Sequence, residues 1–394
     1  MSDHRVAVGI VGAGPAGLLL GHLLHLAGVE SVTVEIRSEP YVIERVRAGV
    51  LEQTTVDLLA EVGLGDRLAR QGLRHEGLFV AFAGARHRIA LPELAGGRAI
   101  TVYGQNEVVR DLLAARRSVG ARLIFEAEDV SLSHLETDRP RLHVRTSAGT
   151  ETFTCDYVAG CDGSHGVCRS MLPPGATQAF ERTYPFAWLG ILAQAAPSSG
   201  ELVYSLHDRG FALFSMRSSE ITRLYLQCSP GESLDDWPDD RIWEELRTRL
   251  RTVDGWMPAE GPILQKGVTP MRSFVVEPMR YNRLFLAGDA AHIVPPTGAK
   301  GLNLAVADVW RLACALEAQY RRSDETSLNQ YSARGLRRAW WAQRFSYWMT
   351  SLLHLAEDAS PFDRRRQLAD LEHLVTSRAA LTSFAESYTG LPLA

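Results

Sequence analysis

Gly12-Ala13-Gly14-Pro15-Ala16-Gly17 stands between the apolar run Val6 to Val11 and the leucine-rich stretch Leu18 to Ala27. A glycine loop that ends a strand and opens a helix brings backbone N–H groups and a helix N-terminus to one point, where a pyrophosphate binds. Gly12 permits the tight turn, Gly14 lets the backbone approach the phosphates, and Gly17 allows close packing of helix on strand. Val32 to Glu35 reads as the next strand, and Glu35 stands where a carboxylate accepts hydrogen bonds from ribose hydroxyls. The same carboxylate repels a 2′-phosphate, so the resident dinucleotide is expected to be FAD or NAD rather than NADP.

Two further signatures separate those candidates. Cys161-Asp162-Gly163 follows the short apolar run Tyr157 to Gly160, and Gly288-Asp289-Ala290-Ala291-His292 follows Arg283 to Ala287. An acid at the end of a late strand can bond ribityl hydroxyls, which a flavin has and a nicotinamide dinucleotide lacks. Three such sites grip one dinucleotide along its length, so the cofactor expected is FAD. No second G-x-G-x-x-G follows, which makes NADH or NADPH a passing co-substrate rather than a second resident.

The bulk composition narrows the function classes. With 394 residues, 46% hydrophobic, 22% charged and a net charge of −4, the chain has ample material for a large core and no basic tract. Neither nucleic acid nor an anionic membrane is an expected partner. No apolar stretch is long enough for a span, and five sparse cysteines suit a reducing cytoplasm. Cys161, His165 and Cys168 match no zinc spacing, so no metal is expected.

The predicted fold class is α/β: a discontinuous Rossmann-like FAD-binding domain with an inserted antiparallel-sheet substrate domain and a C-terminal helical segment. The pattern assigns 1–76, 100–180 and 270–350 to the first, 77–99 and 181–269 to the second, and 351–394 to the third. Helices are expected over Gln53 to Leu68, Glu107 to Arg117, Trp237 to Leu250 and Leu302 to Tyr320, and strands over Val144 to Thr154 and Tyr157 to Gly160. In the insert, Glu201 to His207, Phe211 to Arg217 and Thr222 to Cys228 read as a meander of three strands. Ser215 and Arg217, two apart, share a face. An odd-numbered turn puts Arg223 and Tyr225 on that face too, and an even one puts them behind it. A serine, two arginines and a tyrosine converging on one face form a carboxylate receptor, and the alternative is a solvated strand face.

Longer runs carry a family resemblance. Arg45-Val46-Arg47-Ala48-Gly49-Val50-Leu51-Glu52-Gln53, Thr101-Val102-Tyr103-Gly104-Gln105 and Arg209-Gly210-Phe211-Ala212-Leu213 are three of them. Arg272 to Met279, Gly288 to Asn303 and Tyr388-Thr389-Gly390-Leu391-Pro392 complete the set. Together these runs resemble the single-component aromatic flavoprotein hydroxylases, over essentially the whole chain. What the resemblance implies is hydroxylation of 4-hydroxybenzoate at C3, through a flavin C4a-hydroperoxide, with NAD(P)H and O2 consumed. It implies FAD contacts at Glu35, Arg45, Val46, Arg47, Ala48, Gly49, Val50, Gln105, Asp162, Asp289, Leu302 and Asn303. It further implies a substrate carboxylate held by Ser215, Met216, Arg217 and Tyr225, and a ring hydroxyl met by Tyr204 and the Pro296 carbonyl. A phenol proton would pass from Tyr204 through Tyr388 towards His75, whose ordinary pKa suits release near neutral pH. Trp188, Leu202 and Leu213 would form the apolar walls.

NAD(P)H would meet Arg37, Tyr41, Arg47, His165 and Arg272. The chain departs from the NADPH-using members at Ile36, where they carry arginine, and Glu39 and Glu44 would repel a 2′-phosphate. NADH is therefore expected to serve well, with Arg37 leaving some NADPH activity. Ser164 and Leu206 also depart from the common pattern. Rival readings are a hydroxylase of another para-substituted benzoate such as 4-aminobenzoate, or a non-catalytic FAD-binding redox sensor. The tyrosine pair favours a phenol. Trp340, Trp341 and Trp348 suit a helical face at a homodimer interface or, equally, core packing.

Overall fold

The computed structural model describes residues 2–45, 49–356 and 358–393. Its first strand, Ser2–Val11, buries Val8, Ile10 and Val11 completely or nearly so. It pairs in parallel with Gly149–Gly160 on one side and Ser31–Val34 on the other. Leu284–Leu286 and Arg122–Ile124 extend the parallel sheet at its two sides. Parallel strands are buried on both faces, which explains their unbroken apolar runs. Helices Pro15–Leu26, Gln105–Ser118 and Gly301–Arg322 supply the cover, through Leu18 to Leu20, Leu112 and Leu113, and Val309 and Leu312.

A second, eight-stranded sheet runs in the order His292–Ile293, Ile263–Glu277, Gln178–Ala193, Thr222–Cys228, Gly210–Met216, Leu202–His207, Gly77–Phe82, Ala85–Ala90. Its neighbours are antiparallel except where Leu202–His207 meets Gly77–Phe82. Strand alternation splits its side chains between two cores. Leu189, Ile191, Phe214, Leu224 and Leu226 pack under helix Asp239–Leu250. Trp188, Leu202, Tyr204, Phe211 and Leu213 face helices Thr326–Leu353, Pro361–Thr376 and Arg378–Thr389. A three-stranded sheet of Val50–Glu52, Ile100–Val102 and Leu73–His75 fills the corner between the two large ones.

Several secondary-structure expectations need redrawing. The stretch Val144 to Thr154 is a hairpin, Arg141–Thr146 returning as Gly149–Gly160, because Gly149 sits at φ 131° and turns the chain. The run Tyr157 to Gly160 is the buried end of that second strand. Gln53 to Leu68 is two helices, Gln53–Glu61 and Gly65–Gln71, broken at Gly63 with φ 80°. The helix after Trp237 begins at Asp239, behind Pro238. The domain limits at 180, 269 and 350 fall inside continuous elements, Gln178–Ala193, Ile263–Glu277 and Thr326–Leu353. Among the described residues no helix is long and apolar enough to cross a membrane.

Leu246, fully buried between the second sheet and its helix, gives a direct test of that core. Leu246→Ala is expected to cost about 2–5 kcal/mol, lowering the urea midpoint at unchanged slope. A midpoint that does not move would show that the helix is not seated on the sheet.

Candidate active site

The three glycine-and-acid signatures meet because their strands are neighbours. Val11 and Leu286 flank Gly160 in parallel register, and Cys161 N–H donates to the Val11 carbonyl at 2.8 Å. Gly12 has φ 103°, and a Cβ there would strike the Cys161 carbonyl. A Cβ on Gly17 would overlap the Gly12 carbonyl oxygen, whereas one on Gly14 would meet open space. Gly14 is therefore the point at which a ligand can touch backbone. Glu35 sits at the lip of the loop, accepting Ala13 N–H at 2.8 Å and Arg37 N–H at 2.9 Å. Asp162 accepts Cys168 N–H at 2.8 Å through Oδ2, while its buried Oδ1 has no partner among the described residues. Gly288 packs against Ala16 and Ala305, bringing Asp289 to the same end of the sheet. A cradle that is open at Gly14 and holds acids at both sides of the central strand fits a dinucleotide. Cys161 and Cys168 are buried thiols pushed up by that burial, and His165 is exposed.

Some of the remaining cofactor candidates interlock with one another. Gly49 packs its Cα against Tyr103 and accepts Tyr103 N–H at 2.8 Å, and Gln105 opens the helix that follows. Asn303 is buried and donates to the Val50 and Ala299 carbonyls at 2.9 Å each, while its Oδ1 accepts Glu52 N–H at 2.9 Å. Leu302 precedes it in the first turn of Gly301–Arg322. Arg45 is exposed. Val46, Arg47 and Ala48 lie outside the described residues. Of the nicotinamide candidates, Arg37 stacks over exposed Tyr41 and Arg272 pairs with Glu181 at 3.5 Å. Glu39 is ion-paired with Arg117, a partner that the sequence pattern gave no reason to expect.

On the second sheet the connection between Met216 and Thr222 holds five residues, an odd number. Ser215 therefore faces Arg223, and Leu213 faces Tyr225, on one side of the sheet. Arg223 Nε donates to Tyr225 Oη at 3.1 Å, and Arg217 donates to Asn106 Oδ1. A side chain at Gly104 would overlap the Arg217 guanidinium, so the glycine makes room for it. Burial, and then the nearby Arg223, lowers the Arg217 pKa. Ser215 Oγ turns to the Met216 carbonyl at 3.3 Å. The Met216 side chain points elsewhere, its sulfur 3.1 Å from His75 Nε2.

Tyr204, paired with Leu213 in the register, carries its hydroxyl to the same face. It lies 2.6 Å from Tyr388 Oη and 3.3 Å from the Thr297 carbonyl, one residue beyond Pro296. Burial raises both phenol pKa values. His75 is not hydrogen-bonded to Tyr388, and its buried Nδ1 has no partner. Sequence reasoning gave no role to the ion pair beneath these groups. Lys300, 2% exposed, donates to Glu52 Oε1 at 2.6 Å and to the Tyr388 carbonyl at 3.0 Å. Arg338 stands 3.8 Å from the same glutamate. Partners 248 residues apart leave no local signal.

A family model described as FAD binding domain matches residues 5–346. The chain is 46% identical to the p-hydroxybenzoate hydroxylase of Acinetobacter baylyi over 392 residues, all of this chain and 97% of that protein. It is 27% identical to a rifampicin monooxygenase of Rhodococcus hoagii over 326 residues, 79% of this chain and 63% of that one. Among solved structures, a p-nitrophenol 4-monooxygenase from Pseudomonas putida superposes with TM-score 0.81 at 20% identity, covering 99% of both chains. An aklavinone-11 hydroxylase crystallised with FAD and aklavinone gives 0.73 at 23% identity, over 90% of this chain and 70% of that one.

Two predictions follow from this geometry. Gly17→Val drives a side chain into the Gly12 carbonyl, so the variant should purify with little flavin. Fluorescence titration should give an FAD dissociation constant raised at least about tenfold, a loss of about 1.4 kcal/mol. Burial holds the imidazoles of His75 and His354 down to about 4 and about 3. Both take up protons near pH 6.5 in the unfolded chain. The unfolded state thus binds up to two more protons between about pH 6.5 and 4, so stability is full above that window and falls as pH drops through it. These two imidazoles together contribute at most about 2.7 kcal/mol per pH unit to the slope. His75→Gln should remove about half of it in urea melts run across that range, and an unchanged slope would exclude His75 as a source.

Proposed function

The chain belongs to the FAD-binding monooxygenase family, and we propose that it hydroxylates 4-hydroxybenzoate at C3. One 4-hydroxybenzoate, one O2, one NAD(P)H and one proton would give 3,4-dihydroxybenzoate, NAD(P)⁺ and water. The observation that carries this reading is one sheet face bearing a cationic clamp and, beside it, a tyrosine pair. Ser215 stands two residues along the strand from Leu213, the cross-strand partner of Tyr204. That step is about 6.8 Å, the scale of one benzene ring with acid and hydroxyl para to each other. Two guanidiniums that repel each other gain most from an anion between them, which supports a carboxylate ligand.

Bound FAD supplies the hydride acceptor and the site of oxygen activation. Glu35, Asp162, Asp289 and Asn303 are the residues we assign to holding it, with Gly12, Gly14 and Gly17 admitting its phosphates. Arg217, Ser215, Arg223 and Tyr225 grip the substrate carboxylate. Tyr204 takes the phenol proton while passing its own to Tyr388, which requires neither hydroxyl to ionise alone. That suits two phenols whose pKa values burial has raised. Ring activation follows, because a phenolate is the stronger nucleophile. Trp188, Leu202 and Leu213, each 5% exposed or less, keep water from the reacting atoms. His75 would complete the proton path only after its Nδ1 gains a link to Tyr388. We assign the homodimer interface to the exposed Trp340, Tyr347 and Trp348 face.

Mixing the purified FAD-loaded protein with NADH, oxygen and 4-hydroxybenzoate, then identifying the product by chromatography, tests the reading. Absence of 3,4-dihydroxybenzoate with either coenzyme would sink it. Arg217→Ala should raise the substrate KM about ten- to a hundredfold, the worth of one charged hydrogen bond. Tyr204→Phe should leave carboxylate binding intact and cut hydroxylation by about 10²-fold or more. Steady-state rates should favour NADH, since Ile36 offers no cation to a 2′-phosphate, and a strong NADPH preference would contradict that part.

A further inference from the structure

The proposed substrate pocket is walled by Trp188, whose ring centroid lies 4.7 Å from that of the clamp residue Tyr225. An indole N–H is a buried donor that needs an acceptor. Trp188 Nε1 finds it at His354 Nε2, 2.6 Å away, with the two rings within 12° of coplanar. His354 Nδ1 lies 3.0 Å from the Thr350 carbonyl. A carbonyl only accepts, so the proton of this imidazole sits on Nδ1, and Nε2 presents its lone pair to the indole. Both residues are 4% exposed. Phe211 and Phe186 sandwich the imidazole, with centroids at 4.3 and 4.6 Å. Gln227 staples the next residue, donating to the Leu355 carbonyl at 2.6 Å and accepting its N–H at 3.0 Å.

The same helical turn reaches the other half of the site. Thr350 Oγ1 lies 3.0 Å from Thr297 Oγ1, and the Thr297 carbonyl is the one that Tyr204 meets. One turn of helix Thr326–Leu353 thus touches the loop beside the flavin-binding strands and, through His354, the indole that walls the pocket. We propose that His354 is a positioning and specificity-determining residue, fixing the Trp188 indole in register with the Thr297 loop. This rests on the pocket assignment above, since Trp188 matters to turnover only if an aromatic acid lies against it. The hydroxyl bound at Tyr204 and the ring packed on Trp188 are then set by one rigid element. A loosened indole would admit 3-substituted rings and water, and water diverts reducing equivalents to hydrogen peroxide.

The experiment compares FAD-loaded wild type, His354→Leu, His354→Gln, Trp188→Phe and the double variant Trp188→Phe/His354→Leu. In a ¹⁵N-tryptophan sample, the Trp188 indole N–H signal, assigned by its loss in Trp188→Phe, should be shifted far downfield and exchange slowly. His354→Leu should move it upfield and speed its exchange, and should raise KM and the peroxide-to-product ratio about fivefold or more. His354→Gln, whose amide both accepts and donates, should restore most of the difference. The double variant should be no worse than Trp188→Phe, because the donor needing a partner is gone. An unshifted signal in His354→Leu, or additive effects in the double variant, would overturn the proposal. A shifted signal in a protein that hydroxylates no benzoate would leave the pin standing and remove the function built on it.

Discussion

A lysine ammonium sealed from water holds the site together. Lys300 meets the Glu52 carboxylate and the Tyr388 carbonyl, tying the corner sheet, the start of the long helix Gly301–Arg322 and the C-terminal helix to one point. Burial lowers its pKa, and the glutamate pulls the other way. Such a pair adds little net stability, but losing one partner strands a charge at a cost of about 3–5 kcal/mol. Geometry is what it confers. Asn303, in the first turn of that helix, locks Glu52 and Val50 from the other side. Strand Val50–Glu52 is therefore tied to Tyr388.

The second sheet shows how one layer can serve as scaffold and as reaction surface. Its far face packs Leu189, Ile191, Phe214, Leu224 and Leu226 under a single helix, while its near face carries aromatic rings, hydroxyls and two arginines. Strand alternation keeps these apart, and of the two arginines only Arg217 comes from a connection between strands. Side chains on a paired strand are held more precisely than those on a loop. A reaction that depends on the order of two proton positions gains from that stiffness. The aromatic stack of Phe186, His354, Phe211 and Trp188 adds a second layer of restraint behind the rings.

Much of this was legible in the chain. The glycine loop, Glu35 and the two later aspartates were readable because each ends a strand, and parallel neighbours bring strand ends together. The parity of the Met216–Thr222 connection decides that Ser215, Arg223 and Tyr225 share a face, and its five residues can be counted once the strand ends are known. What escaped notice is long-range. Lys300 with Glu52, Trp188 with His354 and Glu39 with Arg117 are pairs separated by 248, 166 and 78 residues. No periodicity couples them. The hairpin at Gly149 and the break at Gly63 were missed for a local reason, since each glycine sits within an otherwise continuous pattern.

Tyr388 follows every strand of all three sheets in chain order. During synthesis from the N-terminus, every residue of the proposed dinucleotide cradle and clamp is therefore made before the second phenol. A chain caught between those moments holds the residues proposed for cofactor and substrate binding but not the phenol proposed to receive the proton. Chain order thus places the residue proposed for onward proton transfer last, after those proposed for binding.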